Sequence, residues 1–282
     1  MQKTRGWKIT ALAIAGAFLF AGYMPFGQAR DLSVLAENPY GWEKMTSFTT
    51  YYAKEDKGRC KNISIAASLI DGVAIQAFGE FSFNQTVGRR TEEAGFKQAK
   101  IIMNGEYVLG VGGGVCQVST TLYNAALKAG LEVVEYHPHS LRVGYVAPSR
   151  DAMVSTSSDL RLYNPHAFPV FLSAEIFEGG VRIAFFGKNE GYRYEMISNI
   201  LEEIPPPLPI VKEGEENGII RSPKNGVKSE LYLECYQGDS LLFRKRLRTD
   251  EYHPIQGIIT KKTEDTTKKM SFNACVFWEK ML

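Results

Sequence analysis

The chain has 282 residues, 44% of them hydrophobic and 23% charged, with a formal net charge of +2. That composition excludes a disordered chain and leaves room for one large domain, or one domain and a smaller one. Residues 1–29 hold three of the 33 bases (Lys3, Arg5 and Lys8) and no acid, so the remainder has 30 bases against 31 acids and gives no electrostatic reason to expect a nucleic-acid partner.

The three N-terminal bases precede an uncharged apolar run, Ile9 to Met24, followed by Pro25 and by Gly27 and Ala29 at signal-peptidase spacing. Residues 1–29 are expected to be a signal peptide, or a membrane anchor if Phe26 extends an uncleaved run; a buried core helix is the plainer alternative. Residues 30–45 read as an exposed spacer. The protein is therefore expected to work outside the cytoplasm, secreted or membrane-anchored at the cell envelope.

Ser47 to Ala53 (SFTTYYA) reads as a strand. Asn62 suits a helix N-cap, with Ile63, Ala66, Ala67, Ile70 and Ala74 following at helical spacing. Gly79 to Asn84 is a turn into a short extended segment, and Thr86 to Gly95 a polar loop. Ala99 to Met103 and Tyr107 to Val111 flank Asn104-Gly105, a hairpin signal. A second helix runs from about Gln117 to Ala129, with Val118, Leu122, Ala125, Ala126 and Ala129 on one face and Gly130 at C′. Leu131 to Tyr136 and Leu141 to Val146 read as strands on either side of a histidine turn. Phe168 to Phe177 and Val181 to Phe186 form a hairpin across Gly179-Gly180. Pro205, Pro206, Pro207 and Pro209 mark a stiff break. Beyond it, Glu230 to Tyr236 and Leu241 to Leu247 alternate around Gly238-Asp239 as a small β module, and a polar tail begins at Lys261. The expected class is α+β, a few helices with antiparallel strands over residues 46–200, then a Pro-rich linker and small β-rich module over 201–282.

The chemistry concentrates in GVGGGVCQVSTTLYN, Gly110 to Asn124. Cys116 follows three glycines at the start of the second helix, where unpaired N–H groups and the helix dipole favour a thiolate. The run His137-Pro138-His139-Ser140 supplies imidazoles that could take the proton, His139 preferred because Pro138 presents it and Ser140 follows, His137 second. Gly112, Gly113 and Gly114 allow close backbone approach and could form an oxyanion hole. Asn84, Arg150 and Asp151 are further polar candidates; the last two could orient a histidine or bind a substrate carboxylate.

Plainer readings stand beside these. Cys116 could be a small buried residue, the glycines could serve only a tight loop, and Asn84 could be a turn former. His137 and His139, on the same side of a strand, could bind zinc with Cys116, although no fourth ligand stands out. Arg150-Asp151 could be a surface ion pair, Ser119, Thr120 and Thr121 could merely cap or solvate the first helical turn, and His166 and His253 read as surface residues. Among the cysteines, Cys235–Cys275 is a plausible bridge and Cys60–Cys116 the competing one, which would remove Cys116 from chemistry; no CxxC pair is present.

The combination FSFNQTVGRRTEEAGF (Phe81 to Phe96), GVGGGVCQVSTTLYNAAL (Gly110 to Leu127), EYHPHS (Glu135 to Ser140) and YVAPSRDA (Tyr145 to Ala152) resembles the VanW family of bacterial cell-envelope proteins, over roughly residues 46–190. SPKNGVKSELYLECY and LRTDEYHPIQGII are similar, more loosely, to the β-rich tail that often follows such domains. The sequence departs at Ser149, where glycine is usual, and at Gln76-Ala77-Phe78, where a proline is common before the equivalent of Gly79. It lacks the SHGC-type motif of YkuD-type L,D-transpeptidases, so a shared activity would be convergence.

The resemblance implies a role in the vancomycin-resistance context and L,D-transpeptidase activity dependent on Cys116. The thiol would attack the third-residue carbonyl of a tetrapeptide stem, D-alanine would leave, and the side-chain amine of a neighbouring stem would resolve the thioacyl-enzyme into a crosslink. The partners so implied are peptidoglycan stem peptides and, through residues 1–29 if uncleaved, the cell membrane. No nucleic acid, cofactor or metal is called for. The alternatives are a non-catalytic envelope-binding module with a structural Cys116, and a hydrolase that trims stem peptides by the same thioacyl route.

Overall fold

A computed structural model describes residues 42–262 apart from Asn104 and Glu215. The expected signal or anchor segment, most of the spacer, Asn104 of the hairpin turn, Cys275 and the tail beyond 262 lie outside the described residues. The order is β1 (Glu43–Tyr51), α1 (Lys57–Ile70), β2 (Ala74–Ile75), β3 (Glu80–Ser82), α2 (Phe83–Val87), β4 (Gln98–Met103), β5 (Glu106–Val111), α3 (Val115–Lys128) and β6 (Glu132–Glu135). Then come β7 (Arg161–Tyr163), β8 (Val170–Phe177), β9 (Gly180–Gly187), β10 (Tyr192–Ile204), β11 (Ile210–Gly214), β12 (Gly218–Arg221), β13 (Gly226–Gln237), β14 (Ser240–Tyr252) and β15 (Ile258–Lys262). The α+β class holds, with a β-rich C-terminal region.

The strands form sheets in the orders β1-β9-β8-β2, β3-β7-β6, β4-β5, β10-β13-β14 and β11-β15-β12. Their pairings are antiparallel except β11 with β15. Helix α3 runs through the core and is buried from Gln117 to Leu127, so the apolar stripe read from sequence is only part of what it hides. The helix packs against α1, β1, β9 and β10. The apolar cluster around it includes Ile63 and Ile70 of α1, Ile183 of β9, Met196 of β10 and Leu231 and Leu233 of β13. Its C-terminus closes as a Schellman turn: Gly130, with φ 76°, donates to Leu127 O, and Leu131 donates to Ala126 O.

Four expectations are corrected. Asn62 is not an N-cap: Asp56 caps α1 by accepting from Arg59 N–H at 2.9 Å, and Asn62 lies buried inside the helix. The segment after Phe83 forms the short helix α2, capped by Ser82, rather than a loop. Leu141 to Val146 form no strand. The hydroxyls of Ser119, Thr120 and Thr121 are buried; Ser119 donates to Ala152 O at 2.6 Å, Thr120 accepts from Ala152 N–H at 2.9 Å, and Thr121 meets the Thr50 hydroxyl at 2.7 Å. The long strand β10 is an element the sequence pattern did not reveal.

Candidate active site

Cys116 is the second residue of α3, immediately after a glycine loop. Gly114, the N-cap residue, has φ 109°, which an L side chain rarely adopts, and a Cβ there would meet Arg59 Cγ at 2.9 Å. At Gly113 a Cβ would sit 2.7 Å from the backbone of Ala99 and Lys100, so the loop lies flat on β4. The buried Asn62 amide fastens it there, donating to Gly113 O at 2.9 Å and Lys97 O at 2.8 Å while its oxygen accepts from Lys97 N–H at 2.7 Å. The start of the helix is thereby fixed relative to its surroundings.

The half-buried Cys116 thiol lies 3.3 Å from Val154 O, to which it donates, and 3.5 Å from Val154 N, whose N–H is directed at the sulfur. His139 is buried, and its Nδ1 lies 2.6 Å from Asp151 Oδ2. The same oxygen accepts the His139 backbone N–H at 2.8 Å. A carboxylate on Nδ1 places the proton there and leaves Nε2 for Cys116. The other carboxylate oxygen accepts from the Tyr252 hydroxyl. Arg248 donates to Asp151 O at 2.7 Å, stands 3.6 Å from Asp151 Oδ1, and donates to Asp250 at 2.6 Å. It lies 4.2 Å from the centre of the Tyr136 ring.

Burial pushes the Cys116 thiol up, but the His139 hydrogen bond and charge, the Val154 amide and the Arg90 charge outweigh it and hold the thiol below its ordinary value. Burial pulls His139 down, and its bonds to Asp151 and Cys116 reverse that, raising it to about 9. Burial likewise opposes ionisation of Asp151, which His139, Arg248 and Tyr252 keep below the usual carboxylate range. Each of these shifts favours the charged form of its group, so thiolate, imidazolium and carboxylate in series support one another. Cys116 and His139 both open onto a cavity of about 920 Å³ that also includes Arg90, Tyr145 and Val154.

Residues 58–186 match the VanW-like protein family. They form a VanW-like domain. The uncharacterized protein YoaR of Bacillus subtilis (strain 168) is 40% identical over 164 residues, 58% of this chain. The match spans 52% of YoaR, so this chain corresponds to about half of that relative's length. The crystal structure of HP0197-G5 overlaps 25% of this chain and 96% of that one, at 12% identity and a TM-score of 0.16.

Within the VanW-like domain, the other candidates take different places. His137 turns its ring to Glu135, Nε2 to Oε1 at 3.0 Å, and does not line the cavity. The two imidazoles therefore do not converge with Cys116 as zinc ligands would. Asn84 lines the cavity, but its amide is engaged, donating to Ser155 O and Ser158 O and accepting from Arg90 at 2.5 Å. Arg150 is directed away from the cavity, donating to Asn124 at 2.8 Å and lying over Phe48, while its neighbour Asp151 orients His139. Cys60, Cys116 and Cys235 are free thiols, so the Cys60–Cys116 bridge does not form. His166 is no surface residue: only 10% of its side chain is exposed, and it sits 3.0 Å from Ala129 O at the C-terminal end of α3.

Ser149 stands at φ 60°, a left-handed backbone that explains why glycine suits the position. Its N–H donates to Tyr252 Oη and its hydroxyl meets Ser229 Oγ, both at 2.7 Å. The residues that sequence reasoning missed are Arg90, Tyr145, Val154, Arg248 and Tyr252. A signal for the last two was present. Arg248, Asp250 and Tyr252 alternate on β14 as polar side chains turned inward, a strand pattern that a purely structural module has little reason to hold.

Among the described residues, no helix is long and apolar enough to cross a membrane.

Proposed function

We propose that the protein is a cell-envelope cysteine acyltransferase, an L,D-transpeptidase that crosslinks peptidoglycan stem peptides. The observation that carries this reading is the series Asp151, His139 and Cys116, the last two opening onto one cavity, with the thiol at a helix start and depressed below its ordinary pKa. VanW-like membership supports the envelope setting and the association with vancomycin resistance.

In the first half-reaction the Cys116 thiolate bonds to the donor carbonyl carbon. The oxyanion that develops faces the backbone N–H groups of Gly113, Gly114 and Cys116, since the Gly112 N–H is donated to Lys97 O and the Val115 N–H to Gly112 O. As the intermediate collapses, the C–N bond breaks and the His139 imidazolium gives its proton to the leaving amine. In the second, an acceptor amine attacks the thioacyl carbon, His139 takes the amine proton, and the C–S bond breaks to regenerate the thiolate. Asp151 remains ionised throughout and holds the imidazole in register.

The test is intact-mass spectrometry of the protein incubated with tetrapeptide-stem muropeptides. The expected result is an acyl adduct mapped to Cys116 and absent in Cys116→Ala, together with crosslinked product. Released tripeptide stems without crosslinks would assign the same thioacyl chemistry to hydrolysis. Absence of adduct and product, with the fold intact and Cys116 free, would overturn the acyltransferase in favour of a binding role.

A further inference from the structure

The cavity that holds Cys116 meets the β4–β5 hairpin along the edge of one strand. Four consecutive residues of β4, Lys100, Ile101, Ile102 and Met103, line it, whereas β5 contributes Tyr107 and Val111. Successive side chains of a strand point to opposite faces of its sheet, so a cavity lying over a face would touch alternate residues of both strands. An unbroken run from β4 means that the cavity opens on the edge of that strand. Among the described residues β4 pairs with β5 alone, in a two-stranded sheet, so the other edge of β4 carries no strand.

The register says which main-chain groups this edge presents. Met103 stands opposite Glu106, and the pair that closes so short a connection is a hydrogen-bonded one. The bonded pairs continue as Ile101 with Val108 and Ala99 with Gly110, so the N–H and C=O groups of Gln98, Lys100 and Ile102 point away from β5. Gln98 agrees: its carbonyl oxygen is turned to α1, 2.4 Å from where a Cβ on Gly58 would stand. The Lys100 carbonyl oxygen lies 2.7 Å from the place of a Cβ on Gly113. The N–H and C=O of Ile102 are met by no turn or loop group among the described residues.

Outward main-chain groups on a sheet edge are a template for a further strand, and pairing there reads a backbone whatever its side chains. The surroundings limit the occupant. A cavity of about 920 Å³ encloses a small ligand and not a folded partner. An extended chain laid along β4 from Ile102 toward Lys100 arrives at Gly113, three residues before Cys116.

We propose that the outward main chain of β4 at Lys100–Ile102 is a strand-addition subsite, where the acyl donor binds as an extended segment paired through its own backbone. Ile102 then selects through its N–H and C=O and not through its side chain. This assignment rests on the acyltransferase reading, and its test separates the two. A synthetic tetrapeptide stem is titrated by calorimetry into full-length Cys116→Ala protein, alongside analogues that each carry one N-methylated amide.

Proline at an outward position of an edge strand removes an N–H without breaking a ladder bond. Adding Ile102→Pro should weaken binding of the parent peptide about 10- to 100-fold. Ile102→Val keeps the N–H and should cost no more than about fourfold, the worth of one buried methylene. One N-methylated analogue should lose affinity as the proline variant does and the others little, a comparison that stays decisive if the proline variant fails to fold. Unchanged binding in a folded Ile102→Pro, an equal loss in Ile102→Val, equal affinity of the parent and every N-methylated analogue, or no binding of the parent would each overturn the subsite. Mass spectrometry with Cys116 restored then isolates the parent reading. An adduct on Cys116 that forms equally in Ile102→Pro would keep the acyl-enzyme and overturn the subsite; backbone-dependent binding without any adduct would keep the subsite and overturn the acyl-enzyme.

Discussion

Cys116 and His139 are held by two regions built in opposite ways. The cysteine side is local. A helix start, a glycine loop and one buried asparagine fix it, and all of these fall within residues 58–186. The histidine side has no regular element of its own: residues 137–154 are irregular, and their order comes from α3, whose Ser119 and Thr120 bond Ala152, and from partners far along the chain. Asp151 is bonded by Tyr252, 101 residues away, and its carbonyl by Arg248, 97 residues away. The nucleophile is thus a property of the VanW-like domain, whereas the orientation of its base depends on β14, outside the family match.

The largest expected effect lies where the two sides meet. His139→Ala should reduce acyl transfer by about 10²- to 10⁴-fold. It should also shift thiol reactivity. A depressed thiol pKa keeps Cys116 alkylating below its ordinary range, with the rate falling only as the pH drops through the depressed value. Without His139, burial is opposed only by the Val154 amide and the Arg90 charge, so the alkylation profile should move to higher pH; an unmoved profile would break the proposed coupling.

Next is Arg248→Met, which leaves Asp250 and Asp151 short of a buried cation and should cost about 3–5 kcal/mol in a denaturant melt. If it also moves the alkylation profile upward, the distant strand supports reactivity as well as stability. Tyr252→Phe removes one hydroxyl donor from the ionised Asp151 and should cost about 1.5–3 kcal/mol. The profile should move in the same direction, by less. The smallest effect is expected for His137→Gln, whose ring is engaged with Glu135; acyl transfer should stay within about threefold of the wild type, and a loss comparable to that of His139→Ala would reverse the assignment of the base.

The same contrast explains what was legible in the sequence. Cys116, the glycines and the helix were readable because their constraints are local: a positive φ at Gly114, a close approach at Gly113, and a 3.6-residue period from Val118 onward. The hairpins at Gly179-Gly180 and Gly238-Asp239 were legible for the same reason. Asn62 was misread because asparagine favours N-caps, and nothing nearby announces that its amide is needed by Gly113 and Lys97 across the fold. Leu141 to Val146 has strand composition but gains no ladder partner. Arg150 and Asp151 were indistinguishable as neighbours in sequence, and only tertiary packing turned one toward Asn124 and the other toward His139.

The position of β14 has a consequence in time. Its residues are among the last of the described chain to be synthesised, and until they dock Asp151 lacks both Tyr252 and Arg248. The imidazole is then less firmly held, and the thiol is expected to be less ionised. A newly made chain would carry its nucleophile in a subdued form and arm it only on completing the fold, an order that timed alkylation during refolding would reveal as thiol reactivity appearing together with, and not before, the docking of the final strands.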